Sequence, residues 1–458
     1  MTAMARIRLA ATCAVLALAV AGVAAEGPRR LSHRVWLLSG VPDEGTLTAL
    51  RAEGVGAFVL PVGRVEIGAG SSRFTLAQLP DLSPLAGWPV AYLVWVEGSG
   101  KASGDPDSFV TQLTPVQRSV AGADDIVLAS REYFPGLPEF AVKVAARLQR
   151  PVELALPAQD LMQHMPPGGW PRVRPVAVAF GNPSALGFPA ATLHDDLLAL
   201  DVLDGTPVPY RVAIVVAPSA EPSPGPGGGS LALLSSGETA AFTPGERGSV
   251  FRLRKAVSWG GVPLAVGQSV TVEMVDTAMY HRDLGLLLRP VRPLLEGWDT
   301  VGLPNPEPTL GMSRAAFLEY LRGESPYPRP RVDTSWTGPT AVRLTLTNPT
   351  AQASALATTG NWVELRFEGT EVRDVQLGEF GGMEYGRIGP DGGWHLTVAR
   401  DASAIRLFLT FVPPQARVAG ALVTFLSRPH DVNARWHVRL GDGTDAGGPL
   451  EPVPLSPR

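Results

Sequence analysis

The sequence predicts an α/β chain: a (β/α)8 TIM-like barrel over residues 26–330, followed by a C-terminal antiparallel β-sandwich over 331–445. Three observations carry this expectation. From residue 33 to about 325, short continuous apolar runs alternate with amphipathic stretches, as they do where parallel strands are buried on both faces and covered by helices. Eight such runs over roughly 290 residues match the size of a (β/α)8 barrel. After the Pro-rich PYPRPR (326–331) the hydrophobic period changes to alternation of single residues, which marks half-exposed antiparallel strands. A doubly wound sheet is the competing architecture, because the helices after the second and fifth runs are weakly marked.

In order, the strand candidates are RVWLL (34–38), AFVLPV (57–62), VAYLVWV (90–96), DIVLAS (125–130), PVELAL (151–156), PVAVAF (175–180), YRVAIVV (210–216) and SVFRLR (249–254). Between them, Phe109, Leu113, Val116 and Val120 share one helical face. Asp107 is the expected cap of that helix, Gly122 its stop and Pro115 a kink. Phe140, Val144 and Leu148 repeat the spacing, as do Leu193, Leu197 and Leu200 behind a Thr192–Asp195 capping box. A last helix runs from a Ser313 cap to Gly323. EPSPGPGGGS (221–230) reads as a loop after the seventh strand, and 255–280 as a hairpin inserted after the eighth. In the second domain AVRLTLT, WVELRF, GWHLTV, IRLFLTF and ARWHVRL alternate as the strands of a sandwich. The tail, 446–458, is expected to lack regular structure.

The N-terminus reads MTAMARIRLAATCAVLALAVAGVAAEG. Arg6 and Arg8, an apolar run from Leu9 to Val20 and the small residues before Glu26 have the layout of a cleaved export signal over 1–25. The expected location is secreted or periplasmic, with no transmembrane segment once the signal is removed. The single cysteine, Cys13, falls inside that segment, so disulfides and Cys-ligated metals are not expected in the remainder. A net charge of −4 without a basic block excludes the electrostatic footprint of a nucleic-acid binder.

Strand ends at the C-terminal mouth of such a barrel carry its chemistry. The carboxylates there are Glu66 in VGRVEIG, Glu97 in WVEGSG and Glu132 in ASREYF. Two facing carboxylates, one acid and one base or nucleophile, are what glycoside hydrolysis needs, which makes Glu97, Glu132 and Glu66 the candidate catalytic residues. In the WVEGSG turn, Gly98 and Gly100 leave room for a substrate to approach the backbone beside Glu97. Glu153 lies within its strand and reads as an internal ion pair. Trp36 and Trp95 are candidate sugar-stacking residues, and Arg131 is a further candidate for substrate binding. GSGKAS lacks the spacing of a phosphate loop, and HExxH, GxSxG and paired metal-ligand histidines are absent. No cofactor or metal is therefore expected. His281, near Asp276 and Asp283, is read as part of a surface ion pair, and His164 as a polar loop residue.

HRVWLL, LPEFAVKVAARLQRPVELALPAQDL, PVPYRVAIVVAPS, SVFRL and VRLTLTNPTAQASAL follow one another along residues 33–385. In this order they resemble a bacterial family of exported proteins, the domain of unknown function numbered three-one-four-two. The resemblance implies a glycoside-hydrolase-like barrel and brings no assigned reaction with it. In the family pattern the fourth strand ends in two aspartates one residue apart, followed by Pro and a helix. Here the matching stretch is LASREYFPGLPEF, where Glu132 is the one carboxylate at the strand end and Arg131 its neighbour. The expectation is therefore a protein that binds a polysaccharide or other cell-envelope glycan, or scaffolds the envelope, with degenerate catalytic carboxylates. The alternative is an active glycoside hydrolase using strand-end glutamates.

Overall fold

The computed structural model describes residues 31–101, 104–119, 125–221, 239–244, 248–304 and 311–454, with residues 234 and 306. The expected export signal with Cys13, the Gly/Pro-rich 222–230, Val120 and Gly122 lie outside the described residues.

Eight parallel strands form a closed barrel: β1 (Ser32–Trp36), β2 (Val55–Ile67), β3 (Val90–Gly98), β4 (Asp125–Ala129), β5 (Val152–Pro157), β6 (Val173–Gly181), β7 (Tyr210–Val215) and β8 (Leu295–Val301). Each pairs with the next, and β1 pairs with both β8 and β2 to close the ring. Closure removes every sheet edge, so the doubly wound alternative is excluded. The helices outside are α1 (Glu44–Ala52), α2 (Pro106–Ser119), α3 (Gly136–Leu148), α4 (Ala158–His164), α5 (Leu193–Asp204), α6 (Thr277–Leu288) and α7 (Arg314–Leu321). Local chemistry sets their starts. Thr192 and Asp195 form a reciprocal capping box, and Asp43, Asp276 and Ser313 each accept a first-turn N–H. Asp107 lies inside α2, where Asp105 accepts its N–H. After β2 the chain makes no α-helix. The strand overshoots the rim and pairs antiparallel with Ser72–Leu76.

The eighth strand is not the expected one. SVFRLR belongs to Gly248–Leu253, inside an antiparallel sheet with Ala240–Pro244, Ser269–Glu273 and Ser219–Glu221. That sheet and the Val257–Trp259/Val262–Leu264 hairpin are inserted between β7 and β8, around a separate core containing Phe251, Trp259 and Val272. The closing strand is LEGWDTV, whose Asp299 and Thr300 hide it from any search for apolar runs. Both are fully buried.

Those polar residues belong to a buried network across the barrel. Arg34 on β1 donates through Nη1 and Nη2 to Glu153 on β5, at 3.0 and 2.6 Å. Its Nε and Nη2 also reach Asp299 on β8, at 2.9 and 2.7 Å. Arg211 on β7 donates Nε to Asp299 at 2.9 Å. Two guanidiniums face two carboxylates, so the charges balance and the lone pairs are used, which buried ions require. Glu153 is thus the internal ion pair its mid-strand position indicated. Above this layer the interior is apolar, with Val59, Leu93, Ala155 and Val215 among its side chains.

C-terminal to the barrel in the chain, the sheet of strands 331–338, 341–348, 416–425 and 372–376 packs against the sheet of strands 394–396, 382–388, 404–409, 361–368, 431–439 and 445–447. Alternate residues such as Val363, Leu365 and Phe367 fill the space between. The tail departs from expectation: Asp445–Gly447 and Glu451–Pro452 are short strands paired with Asp431–Arg439, because that strand leaves donors and acceptors open for them. Residues 455–458 lie outside the described residues. No helix among the described residues is long and apolar enough to cross a membrane.

Candidate active site at the barrel mouth

The C-terminal ends of β3 and β4 carry the candidate site. Along β3, Ala91 and Leu93 point into the barrel, so Trp95 and Glu97 follow on the same face as the strand leaves the rim. A break in register between Pro61 and Gly63 keeps β2 in step, placing Glu66 opposite Glu97 and Arg64 opposite Trp95. Adjacent strands lie about 4.8 Å apart, so Glu66 and Glu97 are neighbours.

β4 ends at Ala129, and the chain then turns sharply. The Ser130 hydroxyl donates to the Glu132 carbonyl at 2.8 Å, and the Tyr133 N–H donates to Asp160 Oδ2 at 3.1 Å. Asp160 stands in the first turn of α4, so the end of β5 anchors the residue next to Glu132. The His164 ring, one helical turn further on, stacks on Tyr133 with centroids 3.8 Å apart. Burial pushes the Asp160 carboxyl up from its usual range. The Tyr133 N–H and His164 oppose that shift, and the charge of Glu132 adds to it.

Between these segments opens a cleft of about 220 Å³ lined by Trp95, Glu97, Ser130, Arg131, Glu132, Phe134 and Gly187. Glu97 and Glu132 are both exposed there, and among the described residues neither is in an ion pair. Arg131, the candidate for substrate binding, lines the same cleft. Its Nε donates to the Leu186 carbonyl at 2.8 Å, and its guanidinium carbon lies 5.3 Å from the centre of the Trp95 ring.

The structure thus brings Glu97, Glu132, Arg131 and Trp95 together. Glu66 stands outside the cleft lining, with Arg64 at 3.6 Å. Trp36 is a correction: it is fully buried in the barrel and donates Nε1 to Asp299 at 2.9 Å, so neither face is open to a sugar. Gly98 is a second correction. A Cβ there would lie 2.8 Å from the Phe134 ring, so it is the Phe134 ring that uses the absent side chain. The Gly100 carbonyl accepts from Gly136 N–H at 3.2 Å, which ties this turn to the start of α3. His281 bonds Tyr320 at 3.2 Å rather than an aspartate.

Sequence reasoning missed Asp160 and Gly187. Asp160 follows a buried strand at the first turn of a helix, a position that could have been read as a strand-end carboxylate. Gly187 matters only because Arg131 passes over it. Among the described residues no group of three or more His, Cys, Asp or Glu is arranged to hold a metal.

A smaller cavity of about 100 Å³ between β6, α5 and α6 is lined by Phe180, Gly181, Asp196 and Asp283, among others. Here the carboxylates serve the backbone. Asp196 accepts Phe180 N–H at 2.9 Å and Asp283 accepts Gly181 N–H at 3.0 Å. Both residues have left-handed φ, +64° and +66°.

No family model matches the sequence, and no curated protein matches it. Among solved structures the chain is similar to the chitinase ChiW of a Paenibacillus species, with TM-score 0.40 and 10% identity over 92% of this chain and 56% of that one. It therefore spans little more than half of that multi-modular enzyme. It is also similar to the spore cortex-lytic enzyme SleL of Bacillus megaterium, with TM-score 0.36 and 12% identity over 60% of this chain and 71% of the other. A third likeness is to a GH30 endoxylanase of Clostridium papyrosolvens, with TM-score 0.33 and 10% identity over 87% and 97% of the two chains.

Proposed function

We propose that this is an exported glycan-binding protein whose binding site is the cleft above β3 and β4. The observation that carries the reading is the composition of that cleft. One half-buried indole, two exposed carboxylates and a guanidinium converge on it, which supplies both an apolar face and hydrogen-bonding groups for a pyranose ring. Export rests on the pattern of residues 1–25, and membership of the family numbered three-one-four-two on the segments quoted from 33–385.

Hydrolysis is the second reading, and one arrangement favours it. Glu97 and Glu132 share the cleft, and Asp160 adjoins Glu132 with its carboxyl pushed towards the protonated form by burial. Two carboxyl groups held in one cleft are the pair that glycosidic cleavage uses.

The test is binding and reducing-end release by residues 26–458 on a panel of bacterial and plant polysaccharides. Glu97→Gln, Glu132→Gln and Asp160→Asn are run alongside. Binding that the Gln variants weaken, without release, supports the binding reading. Release abolished by either Gln variant moves the conclusion to a hydrolase. A protein that binds none of the panel overturns both.

A further inference from the structure

Arg131 is an exposed cation held on three sides. The Leu186 carbonyl takes its Nε at 2.8 Å, the Trp95 ring lies beneath its guanidinium, and Gly187 leaves room for its stem. A Cβ on Gly187 would stand 3.1 Å from both Cδ and Nε of Arg131, and its φ of +79° suits glycine. Among the described residues Arg131 is in no ion pair, although Glu97 and Glu132 line the same cleft. Its two terminal amino groups form no hydrogen bond among the described residues. They have the planar, parallel geometry that grips a carboxylate in two places.

Surface arginines ordinarily move freely, and fixing one costs side-chain entropy. Here that cost falls before any ligand arrives, the condition under which a single contact discriminates best. Glu97 and Glu132 would repel an acidic ligand that lay close to them. A negatively charged group is therefore accepted at one place, above Trp95, and the rest of the sugar lies towards the glutamates.

We infer that the cleft selects a pyranose bearing a carboxylate, and that Arg131 is the residue that reads that group. This rests on the glycan-binding reading above and adds the class of sugar. Two sources carry the same chemistry: hexuronic acids of acidic polysaccharides, and the lactyl ether of muramic acid in peptidoglycan.

The experiment measures affinity by isothermal titration, with intrinsic tryptophan fluorescence as a second readout, for two matched pairs. One is trigalacturonate against its carboxyl-reduced form; the other is the N-acetylglucosaminyl-N-acetylmuramic acid disaccharide against N,N′-diacetylchitobiose. The expected result is tighter binding of the acidic member of at least one pair, which identifies the source. Arg131→Gln should remove that preference, weakening the acidic ligand about ten-fold more than the neutral one. Arg131→Lys should keep part of the preference, since charge remains and the fork is lost. Circular dichroism checks that each variant is folded.

Equal affinity for acidic and neutral partners, or a preference that survives Arg131→Gln, overturns this inference and leaves the glycan-binding reading standing. Binding of neither pair overturns the inference. It reaches the wider reading only if the polysaccharide panel is also unbound.

Discussion

Asp299→Asn is the sharpest test of how the barrel is held shut. Asp299 has no exposed surface, and it accepts from Arg34 Nε and Nη2, Trp36 Nε1 and Arg211 Nε, all within 2.7–2.9 Å. Asparagine keeps the volume but turns one acceptor into a donor that faces donors. It also removes the negative charge to which Arg34 and Arg211 both bond. Removing one member of a buried ion cluster costs about 3–5 kcal/mol. At about 2.1 cal/mol/K of unfolding entropy per residue, a barrel of roughly 300 residues shifts by about 1.6 °C per kcal/mol, so Tm falls by about 5–8 °C.

The pH dependence has a definite sign. Despite burial, the Arg211 and Arg34 charges and their hydrogen bonds hold the Asp299 carboxyl far below its ordinary range. Its contribution is therefore complete above the unfolded value of about 3.9, and it is lost as pH falls towards the folded one. The gap between wild type and variant stays constant from about pH 5 to 8 and narrows below about 4. Urea unfolding followed by tryptophan fluorescence and far-UV circular dichroism measures it. Glu324→Gln, which breaks an exposed pair with Arg322 at 3.0 Å, is the control and changes stability by less than about 1 kcal/mol. A loss under about 1 kcal/mol for Asp299→Asn would refute the claim that this network closes the barrel.

Other outcomes follow from the same structure. Burial, with Asp442 adding to it, pushes the Asp276 carboxyl up to about 6 against the opposing Met279 N–H. A raised carboxylate makes the folded state bind its proton more tightly, so wild-type stability falls as pH rises from about 4 to 6. Asp276→Asn keeps the cap on α6 and should flatten that slope, gaining about 1–3 kcal/mol above pH 6; an unchanged slope in urea titrations would count against it. Gly98→Ala sets a methyl against the Phe134 ring and should cost about 1–3 kcal/mol, partly recovered by adding Phe134→Leu; equal stability of the single variant argues against that packing. Gly181→Ala meets the Val215 carbonyl and also forces alanine to a φ of +66°. It should lose about 3 kcal/mol or more, and a Tm within a few degrees of wild type would contradict the backbone geometry of β6.

What could be read from the sequence depended on the range of the forces involved. Continuous apolar runs mark strands buried on both faces, so seven of the eight barrel strands were legible, as was the change to alternation at 331. Caps are local hydrogen bonds, and the Thr192–Asp195 box and Ser313 were visible for that reason. The closing strand was not, because Asp299 is tolerated in the interior only through Arg34 and Arg211, more than 80 positions away in the chain.

The site divides in the same way. Strand-end position alone picked out Glu97 and Glu132, but distinguishing them from Glu66 required the course of β2 beyond the rim. Trp36 and Trp95 look alike as aromatic residues near strand ends. Only the packing shows that one is sealed against Asp299 while the other faces the cleft. The sequence by itself determined seven of the eight barrel strands, the helix starts at Thr192 and Ser313 and the strand-end carboxylates Glu66, Glu97 and Glu132, since these depend on neighbours a few residues apart. The tertiary structure decided which strand closes the barrel, which acids share a cleft and what Arg131 faces, because side chains distant in sequence set each of these.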